Sequence, residues 1–152
     1  MKKYLLFLLI IALFISCKKD KINESASASV TGKWSTGGYE LVLYDAAGQI
    51  VSHGIADAIR TYWTFDQSQI KVSYDLRADV ITSGYKVVNK MDGVFLLIDN
   101  TNVAAQTEWK IESQTDQYMS ISSIITDQAF LNYGPNKKAS RGVKTIYLVL
   151  EK

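Results

Sequence analysis

Ile70-Lys71-Val72-Ser73-Tyr74-Asp75-Leu76-Arg77 decides the fold class. Ile70, Val72, Tyr74 and Leu76 share one face of an extended chain, and Lys71, Ser73, Asp75 and Arg77 share the other. Side chains alternate with period two along a strand, so this segment predicts a β-strand with one dry and one wet face. Thr107-Glu108-Trp109-Lys110-Ile111-Glu112 repeats the pattern, with Trp109 and Ile111 on the dry side. No helical stripe accompanies them, and Gly/Asn/Asp turn clusters recur at strand-like intervals.

Working outward, strands are expected near 39–45, 60–66, 69–77, 84–90, 93–99, 105–113, 117–125 and 143–151. The connections at 46–59, 78–83, 100–104 and 126–142 are long, and those at 67–68, 91–92 and 114–116 are short. Long and short alternate. In an up-and-down meander, successive connections fall at opposite ends, so the long loops gather at one end and the tight hairpins at the other. Eight antiparallel strands suffice to close a barrel with room inside for side chains or one small ligand. The expected fold is therefore all-β, an eight-stranded antiparallel up-and-down β-barrel occupying 32–152. An immunoglobulin-type sandwich is disfavoured, because its Greek-key connections must cross between sheets.

The N-terminal residues carry an address. Lys2 and Lys3 precede an unbroken apolar run, Tyr4 to Ile15, whose twelve residues span about 18 Å as a helix. That is too short for a ~30 Å hydrocarbon core and fits the apolar region of a secretory signal. Phe14-Ile15-Ser16-Cys17 resembles a bacterial lipobox. The resemblance implies a leader over 1–16, cleavage before Cys17, and a diacylglycerol with an amide-linked acyl chain on that cysteine. Two acyl chains give stable anchoring. Lys18 follows Cys17, and not the Asp that would resemble an inner-membrane retention signal, so the expected location is the outer membrane. Residues 17–31 hold the lipidated cysteine and a polar, Ser/Ala-rich tether.

Gly32-Lys33-Trp34, a G-x-W ahead of the meander, together with the eight strands resembles a lipocalin-like, calycin-type barrel of the short bacterial lipoprotein sort over about 31–152. The resemblance implies that Trp34 sits at the closed end and that the first, third, fifth and seventh connections rim an open mouth. Trp63, Phe65, Tyr74, Tyr85, Trp109 and Met119 are the candidate pocket residues, with Leu43, Val72, Ile111 and Ile121 beside them. They line an apolar cup or simply fill the barrel. Val94–Ile98 and Ile146–Leu150 are apolar on both faces, which predicts a second apolar layer, supplied most simply by the 126–142 loop. That loop carries the turn Asn132-Tyr133-Gly134-Pro135-Asn136 and then Lys137, Lys138 and Arg141.

Composition excludes much chemistry. Of 17 Lys and Arg, Lys2 and Lys3 lie in the leader, and the remaining 15 equal the 15 Asp and Glu. A balanced charge argues against nucleic acid, whose binding rests on counter-ion release. There is one Cys, one His and one Pro, so neither a disulfide framework nor a metal-ligand spacing can be written. His53 falls in the 46–59 loop, and a Ser-His-Asp set would need Asp57 and an unassigned serine. Asp66 and Asp75 flank a hairpin and read as turn and surface residues. No catalytic residues, metal or cofactor are expected beyond the lipid on Cys17. The expected function is non-catalytic binding of a small apolar or amphipathic ligand by an envelope lipoprotein that meets the membrane through its anchor. The alternative is a solid barrel that meets an envelope protein through its long loops, resembling a protease inhibitor or an accessory subunit.

Overall fold

The computed structural model describes residues 21–22, 30–75 and 78–152. The leader, Cys17 and most of the tether lie outside the described residues, as do Leu76 and Arg77. The strands are β1 (Lys21–Ile22), β2 (Gly32–Tyr44), β3 (Ile50–Phe65), β4 (Gln69–Tyr74), β5 (Val80–Lys90), β6 (Gly93–Ile98), β7 (Glu108–Gln114), β8 (Tyr118–Ile125), β9 (Asn132–Gly134), β10 (Lys137–Lys138) and β11 (Arg141–Leu150). A one-turn helix, α1 (Thr101–Ala104), lies between β6 and β7. A 3₁₀ turn covers Gln128–Phe130.

The sheet closes. Neighbours pair antiparallel in the cycle β2-β3-β4-β5-β6-β7-β8-β11, and β11 returns to β2 from Arg141↔Tyr44 to Leu150↔Trp34. This is the closed eight-stranded antiparallel meander expected from the alternating connections. Tight turns at 66–68, 91–92 and 115–117 mark one end, and the connections 45–49, 75–79, 99–107 and 126–140 mark the other. Closure leaves these eight strands with no pair of edges along the barrel wall.

Several boundaries move. The first expected connection, 46–59, is instead a five-residue turn at 45–49, and β3 begins at Ile50. His53-Gly54-Ile55-Ala56 has no alternating pattern, but its backbone pairs with Leu41 to Val42 and their neighbours on β2, so tertiary pairing overrides weak local preference. β2 likewise starts at Gly32 rather than 39, with a register shift between Thr36 and Gly38 that lets the strand bend at Gly37. β4 ends at Tyr74, where Asp75 N–H bonds to the Arg60 carbonyl. From Arg60 back to Ile50, β3 has described pairing on its β2 side alone. Within the expected tether, Lys21–Ile22 pairs with Asn89 and Val88 of β5.

The lower barrel is solid. Trp34, Phe65, Ile70, Leu96, Ile98, Trp109, Met119, Ile121 and Leu148 are all buried. Trp63 meets Trp109 edge-on at 6.0 Å, and Phe65 meets Tyr85 edge-on at 5.1 Å, geometries that suit the ring quadrupoles. The polar handles are satisfied within the wall. Trp34 Nε1 donates to Val30 O at 2.8 Å, Trp109 Nε1 to Gln106 O at 3.0 Å, and Tyr85 Oη to Asp66 O at 2.7 Å. Burial is the first reason that the Tyr85 phenol is pushed above its ordinary value.

Above the closed barrel, β2, β11 and β8 run on as a sheet whose inner face has no opposite wall. The 126–140 segment supplies one: Leu131 and Ala139 pack on Leu43 and Ile125, with Leu41, Val51 and Tyr133 at the margin. Gly142 is part of this fit, because a Cβ there would stand 2.9 Å from Leu43 Cδ2 and 3.4 Å from Leu131 Cδ2. The loop thus covers the inner face, not the outward side of the last strand as the sequence suggested. Tyr147 and Val149 remain exposed on that outward side. Leu131 is fully buried whereas its neighbour Phe130 is 57% exposed. Leu131→Ala is therefore expected to cost about 2–5 kcal/mol in urea unfolding. Phe130→Ala should stay within about 0.5 kcal/mol. Equal effects would contradict a packed lid.

Candidate functional site

Where the solid core stops, a cavity of about 300 Å³ opens at the mouth. Its floor is Trp63, Val72 and Ile146, its walls carry Thr36, Tyr39, Thr61 and Tyr74, and α1 with Ala105 forms one side. The inward period of three adjoining strands brings these together. Trp34↔Trp63 fixes which face of β3 looks in, Trp63↔Val72 carries the same face to β4, and Tyr39↔Ile146 carries it to β11.

The helix α1 is built locally. Asn100 caps it by accepting from Asn102 N–H at 2.9 Å, and Ala105 ends it in the left-handed region with φ 60. Val103 is buried against the barrel core and Ala104 packs partly on it, so α1 sits across the mouth as a fixed shoulder. Thr36 and Thr61 turn their hydroxyls to the backbone, donating to Gly38 O at 2.9 Å and Ile59 O at 3.0 Å.

One charge faces the cavity. Lys144 on β11 is half-buried among the lining residues, none of which is acidic. Its Nζ lies 4.3 Å from the centroid of the Tyr39 ring, a cation–π contact. Burial holds the amine below its ordinary lysine value. The sequence reading passed over this residue. Its signal was available in the inward set Lys144-Ile146-Leu148, but Val143, Thr145, Tyr147 and Val149 look equally able to face inward.

Among the candidate pocket residues, Trp63 and Tyr74 line the cavity. Phe65, Tyr85, Trp109 and Met119 lie below it in the packed core, as do Val72's neighbour Ile70 and β8's Ile121. Leu43 belongs to the second core under the 126–140 segment. Trp34 sits at the hairpin end, paired with Leu150 and Trp63.

A larger groove of about 530 Å³ lies on the outer wall over β6, β7, β8 and β11. In it Lys110 pairs with Glu112 at 3.5 Å and Glu108 with Lys90 at 2.7 Å, and the exposed Arg141 lies over the Tyr44 ring at 4.3 Å. We take the mouth cavity as the candidate site because it is framed by the barrel interior and holds a half-buried cation with no carboxylate partner among the described residues.

His53 is not in a loop. It stands on the outer face of β3, 2.6 Å from Glu40 Oε1, while Tyr147 Oη donates to Glu40 Oε2 at 2.7 Å. This cluster ties β3, β2 and β11 across the outside of the barrel. The Asp57 side chain lies outside the described residues. Asp66 accepts from Gln67 N–H, and Asp75 from Tyr62 Oη at 3.0 Å, so each serves the hairpin beside it. Among the described residues, no three His, Cys, Asp or Glu gather at one point. No helix there is long and apolar enough to cross a membrane.

Fold and site together define a small closed β-barrel with a packed base and a shallow apolar cavity at its mouth. Comparison of the chain with family models, with curated proteins and with solved structures returned no match.

The Glu40 cluster has a pH signature. The hydrogen bond from Tyr147, then that with His53, holds the Glu40 carboxyl below its ordinary value of 4.5. A carboxyl lowered by folding adds stability above the unfolded value and loses it as pH falls through the folded one. Glu40→Gln is expected to lower the urea midpoint at neutral pH. That deficit should shrink below pH 4.5 and vanish once the native carboxyl is protonated. A deficit independent of pH would contradict a charge-based role.

Proposed function

We propose that the protein is an envelope lipoprotein, anchored through acyl chains on Cys17, whose barrel holds a small apolar or amphipathic molecule without transforming it. The observation that carries the binding half is the mouth cavity. A barrel that only needed to be stable could be filled to the rim, as it is filled below Trp63. Here the apolar floor of Trp63, Val72 and Ile146 is left open under α1. A volume of about 300 Å³ is at the small end of ligand sites, so the ligand is small, with a short chain or one ring. The anchoring half rests on the apolar leader and on the chain's only cysteine standing directly after Ser16.

A second reading has its own observation. Ile50, Ile55 and Ile59 are exposed along the stretch of β3 that extends past β4, where an extended segment of an envelope protein could add by strand pairing. That is the interaction module, and it needs no cavity.

One preparation separates the two. The full chain in lipid nanodiscs is titrated with octanamide, a short neutral amphiphile, with empty discs as the blank and tryptophan fluorescence as the readout. Ala104→Phe, which fills the cavity from α1, is expected to weaken binding at least tenfold. Shortening the Asn132–Lys138 hairpin should leave it unchanged. Cys17→Ser is expected to move the chain from the membrane to the soluble fraction on cell disruption. Octanamide binding that survives Ala104→Phe would contradict the cavity as the site. A Cys17→Ser chain still bound to membranes would contradict the anchor.

A further inference from the structure

We infer that the molecule held at the mouth carries a carboxylate, and that Lys144 Nζ is its anchor. The inference rests on the binding reading above and names the ligand class for the same cavity.

Lys144 has no carboxylate partner among the described residues. A lysine turned into a barrel mouth loses hydration, and a protein ordinarily offsets that loss with a nearby carboxylate. None is supplied. The strands packed against Lys144 place Leu41 and Ser123 opposite it in register, and the Ser123 hydroxyl is spent on the Glu108 carbonyl at 2.6 Å. No hydrogen bond or ion pair to Lys144 is present among the described residues, and its one partner is the π-face of Tyr39. Among the described residues, the cavity wall carries no Asp or Glu. The folded chain therefore holds an amine whose charge is disfavoured by burial alone. A bound anion removes that penalty.

The ligand's shape follows from what surrounds the amine. The apolar floor accepts a chain or ring, while the one cation that lines the cavity among the described residues matches a single negative charge. A phosphate dianion would leave a charge uncompensated in a half-buried setting, whereas a monocarboxylate does not. An outward-facing lysine would need no such partner. Lys144 differs because the period of β11 puts it on the same face as buried Ile146 and Leu148.

The test compares octanoate with octanamide, which share length and shape and differ in charge, on the full chain in nanodiscs with empty discs subtracted. The wild type is expected to bind octanoate at least tenfold more tightly than octanamide. Lys144→Met should abolish the preference, bringing the ratio of octanoate to octanamide affinity to about one, and Lys144→Arg should restore it. Lys144→Met is expected to fold at or above wild-type stability in urea unfolding, since it removes a desolvated charge. Equal affinity of the wild type for both probes would overturn the carboxylate inference and leave the binding reading standing. Binding of neither would overturn both. A carboxylate preference that persists in Lys144→Met would overturn Lys144 as the anchor.

Discussion

The antiparallel pairing of β11 with β2, from Arg141↔Tyr44 down to Leu150↔Trp34, is the constraint on which the rest of the molecule depends. It joins the last strand to the first and turns a sheet into a tube. Once the tube is closed, every inward side chain faces others across a fixed distance, and the interior must be filled or wet. Trp34, Trp63 and Trp109 with Phe65 fill the lower part, and the indole N–H groups of Trp34 and Trp109 donate to the Val30 and Gln106 carbonyls. Filling is what makes the base rigid enough to hold a cavity open above it.

The strands β2, β3, β8 and β11 outrun β4 and β6, and this mismatch shapes the mouth. The overhanging inner face needs cover, which the 126–140 segment provides with Leu131 and Ala139. On the opposite side α1 provides a shoulder with Val103. Between the two covers the floor of Trp63, Val72 and Ile146 stays accessible, with Lys144 at its edge. The cavity is thus a consequence of unequal strand lengths on a closed sheet. Among the described residues its charge comes from Lys144 alone, an inward residue on the closing strand.

Much of this was legible in the amino-acid sequence because a half-buried strand writes its two faces in alternation. Ile70, Val72 and Tyr74 on β4, and Trp109 and Ile111 on β7, face inward as their period requires. The tight turns also declared themselves through Asp66-Gln67-Ser68 and Met91-Asp92. What was not legible depended on partners distant in sequence. The first half of β3 contains Gly54, Ala56 and Asp57, poor strand formers that are held extended by β2 alone. A four-residue helix is too short to show a period, so α1 could be suspected only from Asn100 as a cap. Which of Lys144 and its apolar neighbours turns inward could not be told on a strand apolar on both faces. The register with β2 and β8 decides it.

The account's central claim is that a small amphiphile enters the barrel mouth and rests on the floor beside Lys144. The most direct measurement is a methyl NMR experiment on the full chain in nanodiscs, recording magnetisation transfer from the octanoate chain to labelled Ile and Val methyls. The account predicts transfer to Val72 and Ile146, which line the cavity, and none to Ile124 and Val143 on the outer groove. Transfer to Ile124 and Val143 with silence at Val72 and Ile146 would contradict it.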